Sequence, residues 1–96
     1  MKKKTIYISG PMTGLPEFNF PAFHAKEKEL REQGHKVKNP ASNGSDATKS
    51  WLDYIIDDLI LLKECTHIHF LDGWESSPGA RIEAACAERM ELEVHP

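Results

Sequence analysis

Strands alternating with helices predict an α/β fold, a small doubly wound parallel sheet of the flavodoxin or Rossmann type, with about four strands and three flanking helices. Three observations carry the prediction. Two β-branched and aromatic runs, Thr5–Ser9 and Thr66–Leu71, are each followed by a glycine-bearing turn. Apolar residues at helical spacing fill the stretches between such runs. Glycine and proline punctuate the borders, at Gly10-Pro11, Gly34 and Pro40. Successive β-α-β units feed right-handed crossovers, and four strands joined this way most simply order as 2-1-3-4. Ninety-six residues make one domain, 1–96.

The elements follow in turn. Asn19 can cap a helix that opens at Phe20-Pro21, because proline is tolerated in a first turn. That helix carries Phe20, Phe23 and Leu30 on one stripe and stops at Gly34. His35–Asn39 reads as a weak edge strand, and residues 41–48 as a polar, mobile loop. A second helix runs from Lys49 to Glu64, a third from Ser77-Pro78 to Arg89, and Glu91–Val94 forms a last strand. In such a sheet the ligand lies past the carboxyl ends of the strands where their order reverses. Here that is between strands 1 and 3, bordered by loops 9–17 and 72–78.

Composition narrows the partners. A net charge of −3 argues against a nucleic-acid or membrane-surface binder, and Lys2-Lys3-Lys4 reads as a solvated terminus. No run approaches the roughly twenty apolar residues of a membrane span. Cys65 and Cys86 form no CxxC and sit in apolar helical patterns, where cysteine packs as a small hydrophobe. With no secretory signal in view, a reducing cytoplasm is the expected setting. His67 and His69 share a strand face, but no third ligand accompanies them, so neither metal nor cofactor is expected.

The sharpest signal is a conflict inside two helices. At about 100° per residue, the second helix gathers Trp51, Leu52, Tyr54, Ile55, Leu59, Leu61 and Leu62 on a broad apolar face, with Asp53, Asp57 and Glu64 opposite. Asp58 projects between Tyr54 and Trp51, inside the apolar arc. In the third helix Gly79, Ala80, Ile82, Cys86, Ala87 and Met90 make a small-residue face with Ser77, Arg81 and Glu88 opposite. Glu83 falls inside it. A buried carboxylate is costly or stays neutral. Two in one small domain fit a paired-carboxylate site, one group attacking a carbocation-like centre while the other handles the proton. They fit equally well as caps, or as partners of Arg81, Lys63 or a loop amide.

The loops offer a ligand cradle. Ser9, Gly10, Met12, Thr13 and Gly14 lie between a strand and a helix, where exposed N–H groups can hold a phosphate or sugar hydroxyl, although a tight turn alone explains the glycines. Ser77 and Gly79 at a helix start can bind an anion or simply cap. Trp74 can stack on a base or bury itself against a neighbouring subunit.

Three segments, Tyr7–Gly14, Asp58 on its helix, and Gly73–Glu83 with its Gly-Trp-Glu-Ser-Ser-Pro-Gly-Ala-Arg-Ile-Glu run, resemble the small phage and bacterial DUF4406 proteins. Those are relatives of nucleoside 2-deoxyribosyltransferases and of the 2′-deoxynucleoside 5′-monophosphate N-glycosidase. The resemblance spans nearly the whole chain. It implies a Glu nucleophile toward C1′ of a deoxyribonucleoside, hence Glu83, with Asp58 as general acid or base and Tyr7 orienting Glu83. Gly10, Gly14 and Ser77 would line the sugar–phosphate pocket. The implied activity is cleavage or transfer of the N-glycosidic bond of a 2′-deoxynucleoside or its 5′-monophosphate. The implied assembly is a homodimer or higher homo-oligomer. A non-catalytic nucleotide sensor or sponge is the alternative, and an interaction protein built around Trp74 a third reading.

Overall fold

The computed structural model describes residues 4–96, so Lys2 and Lys3 of the basic run lie outside the described residues. The elements are β1 (Thr5–Ser9), α1 (Phe20–Glu32), β2 (Lys36–Lys38), α2 (Trp51–Leu62), β3 (His67–Phe70), α3 (Pro78–Arg89) and β4 (Glu93–Val94). The sheet is wholly parallel in the order β2-β1-β3-β4, as the alternation predicts.

Side chains of β1 alternate between two cores, one on each face of the sheet. Ile6 and Ile8 pack with Phe23 and Leu30 of α1 and with Val37, Ala41 and Leu71. Tyr7 enters the opposite core with Leu62, Cys65, Ile68 and Ala87. Ser9, two residues on, shares the Tyr7 face and is fully buried. The strand therefore delivers two hydroxyls, in sequence, beneath α2 and α3.

The helix borders correct some of the sequence reading. Asn19 does not cap α1: it lies in the left-handed region at φ 60° and its amide donates to the Pro11 carbonyl at 3.0 Å. It ends a run of three left-handed residues, Glu17, Phe18 and Asn19, in a 3₁₀ turn that precedes the helix. Ser50 instead caps α2 reciprocally with Asp53. Asp53 N–H donates to Ser50 Oγ at 3.1 Å, and Ser50 N–H to Asp53 Oδ2 at 2.9 Å.

The apolar arc of α2 is wider than the surface it covers. Only Ile55 and Leu62 are buried, while Trp51, Leu52, Ile56 and Ile60 are exposed. In α3 the inward line is Ala80, Glu83 and Ala87, so Ile82 and Met90, expected inside, face outward. Glu83 lies inside the packed stripe, as helical spacing predicts, between Ala80 and Ala87. Alanines on either side let the helix approach the sheet around it. Gly79 permits a matching approach to α2, since a Cβ there would stand 3.0 Å from Ile55 Cδ1.

The carboxyl ends of β1 and β3 are pressed together. Leu71 N–H donates to the Ser9 carbonyl at 2.8 Å. A Cβ on Gly10 would meet Leu71 Cβ at 2.8 Å, an atom that cannot move without the backbone. Gly10 is there because nothing larger fits.

Candidate active site

Glu83 is 4% exposed, and both of its carboxylate oxygens are engaged from β1. The Tyr7 hydroxyl donates to Oε2 at 2.7 Å and the Ser9 hydroxyl to Oε1 at 2.7 Å. The two donors reach the same group because they are i and i+2 on one strand face, directly below the α3 stripe. Asp58, half-buried on α2, lines the same cavity as Glu83 and is near enough for the two carboxyls to influence each other's charge.

The electrostatics of the pair follow from burial. Removal from water, then the neighbouring Glu83 charge, push the Asp58 carboxyl up to about 8. Burial raises Glu83 too, opposed by the hydrogen bonds from Ser9 and Tyr7 that favour its anion. Because the Glu83 charge is one of the causes that raise Asp58, Glu83 is the member of the pair that ionises first and Asp58 the one that keeps its proton, to about pH 8. Tyr7 lies far above its ordinary value, through burial and then the Glu83 charge, and stays a donor throughout.

Above the two carboxyls opens a cavity of about 320 Å³. Loop residues Gly10, Met12 and Thr13 form one wall, and Ser76, Ser77 and Gly79 at the start of α3 form another. Trp51 and Tyr54 of α2 form a third, closed over by Phe18 and by Gly44 and Ser45. The Tyr54 hydroxyl fixes that last loop by donating to the Asp46 carbonyl at 2.6 Å and accepting from the Asp46 N–H. The cavity lies where the connections leaving β1 and β3 run in opposite directions, the place the strand order reverses.

Among the residues singled out from the sequence, Glu83, Asp58, Gly10, Met12, Thr13, Ser77 and Gly79 meet at this cavity. Tyr7 and Ser9 sit one layer below. Ser9 does not face a ligand, because its hydroxyl is spent on Glu83. Gly14 lies outside the wall, exposed at φ 84°. Trp74 also lies outside: its ring stacks on Phe70 with centroids 4.2 Å apart, packing against the chain's own strand. Ser77 also caps α3, accepting from Ala80 N–H at 3.3 Å.

Trp51, Tyr54 and Phe18 were not picked out as ligand contacts. Trp51 and Tyr54 had a readable signal, since with Asp58 they recur at i, i+3 and i+7 on one helix stripe. Phe18 had none. Its placement depends on the left-handed turn at 17–19, which no residue type there announces.

The histidines are occupied elsewhere. His67 Nε2 lies 3.1 Å from Glu93 Oε2, and His69 Nδ1 donates to the His95 carbonyl at 3.0 Å. Among the described residues no group of three or more His, Cys, Asp or Glu is placed to hold a metal ion.

Residues 4–95 match the family described as a domain of unknown function, DUF4406. The chain belongs to that family. No curated protein matches it. Among the described residues no helix of this DUF4406 domain is long and apolar enough to cross a membrane.

Proposed function

We propose that this DUF4406 protein cleaves or transfers the N-glycosidic bond of a 2′-deoxynucleoside or its 5′-monophosphate. The observation that carries the reading is the buried Glu83 carboxylate, held by Tyr7 and Ser9 beside a second carboxyl that keeps its proton to about pH 8. The resemblance to nucleoside 2-deoxyribosyltransferases supports it, because it selects the same two residues.

Each group has a defined task. A Glu83 oxygen attacks C1′ as the C1′–N bond breaks, and Asp58 gives its proton to the departing base nitrogen. Asp58, now a carboxylate, takes a proton from water or from an acceptor base. That nucleophile displaces Glu83 from C1′ and restores the starting state. Tyr7 and Ser9 hold the Glu83 oxygens in place and are positioning residues. The protein acts as a homodimer or higher homo-oligomer, a reading supported by the exposed apolar ridge of α2.

The test is chromatographic. Purified protein is incubated with 2′-deoxynucleosides and their 5′-monophosphates, with and without free acceptor base. Wild type releases or exchanges base. Glu83→Gln loses at least about a thousandfold and Asp58→Asn about a hundredfold, the range of nucleophile and acid–base deletions. Turnover that survives Glu83→Gln sinks the assignment.

A second reading draws on the burial of Glu83, whose two oxygens are already bonded: a nucleotide-binding protein without turnover. It predicts no released base, with nucleotide still raising the melting temperature.

A further inference from the structure

The cavity is chemically one-sided. Its floor is two carboxyls, Asp58 and Glu83. Its rim is apolar, with the rings of Phe18 and Trp51 each about half exposed. Between them lie neutral hydroxyls, those of Thr13, Ser45, Ser76 and Ser77. Among the described residues no Lys, Arg or His lines the wall.

Cations on neighbouring elements are turned to other uses. Lys49 donates to Asp57 at 2.8 Å and hangs over the Tyr54 ring. Arg81, in the first turn of α3, is exposed and outside the lining. The start of α3 adds no charge and leaves Gly79 as its one cavity-lining residue with an uncommitted N–H. Pro78 has no N–H, Ala80 N–H goes to Ser77 Oγ at 3.3 Å, and Arg81 N–H goes to the Ser77 carbonyl at 3.0 Å.

From this distribution we infer that the cavity selects the uncharged 2′-deoxynucleoside over its 5′-monophosphate, with the base against the Phe18 and Trp51 rim. The inference rests on the glycosidic-bond reading and narrows its substrate class. A phosphate near its dianionic form would leave water, find no counter-charge, and share a small space with two acidic side chains, Asp58 and Glu83. Sugar hydroxyls ask only for neutral partners, and a base gains from aromatic faces. The volume agrees. About 320 Å³ is at the low end of the roughly 300–1,000 Å³ range of small-molecule sites, enough for one nucleoside.

Calorimetric titration tests this with a C-nucleoside analogue, whose carbon link to the base cannot be cleaved, and with its 5′-monophosphate. The expected result is nucleoside binding at least about tenfold tighter than the monophosphate. Thr13→Arg, on an exposed loop at the wall, is expected to close or reverse that gap. A monophosphate that binds wild type as tightly as the nucleoside overturns the selectivity but leaves the glycosidic-bond reading standing. A gap unchanged in Thr13→Arg overturns its electrostatic origin. Failure of both analogues to bind at millimolar concentration sinks the selectivity and the nucleoside reading together.

Discussion

Tyr7 and Ser9 divide a single job, each holding one oxygen of Glu83, and their removal separates holding from reacting. Tyr7→Phe keeps the ring in its core and deletes only the donor, so Glu83 loses part of what favours its charged form. Its carboxyl then titrates higher, and a reaction that needs the anion loses activity on the acid side. The expected result is a kcat lower by about tenfold, with the acid limb of the pH–rate profile moved to higher pH. The alkaline limb, where Asp58 gives up its proton near pH 8, stays where it was. A uniform drop with no movement of the acid limb would mean that Tyr7 merely fills space. Sequence reasoning could reach Glu83 and Asp58 because helical counting places a charge within a local apolar arc. It could not reach the role of Ser9, whose partner is 74 residues away and is visible only once β1 and α3 are packed. Trp74 misled for the same reason: its stacking partner Phe70 belongs to the strand, not to the ligand.

At the scale of elements, α2 departs most from expectation, and the cause is its composition. Nine of its twelve residues are apolar or aromatic, so helical periodicity marks a wide face without saying how much of it the sheet can cover. The sheet side takes Ile55 and Leu62. Trp51 and Tyr54 turn toward the cavity, and Leu52, Ile56 and Ile60 remain as a ridge at 57%, 48% and 55% exposure. Residues at i, i+4 and i+8 form one straight line, and a line centred on Ile56 is self-complementary under a two-fold axis. Leu52 of one copy meets Ile60 of the other, and Ile56 meets its own counterpart. Sedimentation equilibrium is therefore expected to give a homodimer or larger assembly for wild type. Ile56→Glu should shift it toward monomer, with an unchanged fold by circular dichroism, because the residue lies outside both cores. A wild-type monomer at high micromolar concentration removes this interface.

For the whole molecule, the order of strands was legible because each parallel pair needs a crossover, and the three helical segments supply those crossovers. The location of the cavity followed from the same rule, whereas its outer wall at 44–45 did not, since it depends on Tyr54 reaching back to the Asp46 backbone. What the fold does to Asp58 is a property of the entire packing, and it has a thermodynamic signature. The carboxyl, ordinarily at 3.8, is pushed to about 8 by burial and by Glu83. Between those values the folded protein keeps a proton that the unfolded chain has released. Because the native state binds more protons, this residue's contribution makes stability fall as pH rises through that window. Asp58→Asn has no proton to lose and keeps the size and polarity of the side chain. Its melting temperature should match wild type near pH 4 and exceed it increasingly toward pH 8. A difference of about 1 kcal/mol corresponds to about 4–8 °C in a domain of this size. The difference curve reports this carboxyl together with the change its loss makes to the neighbouring Glu83. Two melting curves that stay parallel from pH 4 to pH 8 would show that Asp58 is already ionised, and would remove the general acid from the proposed reaction.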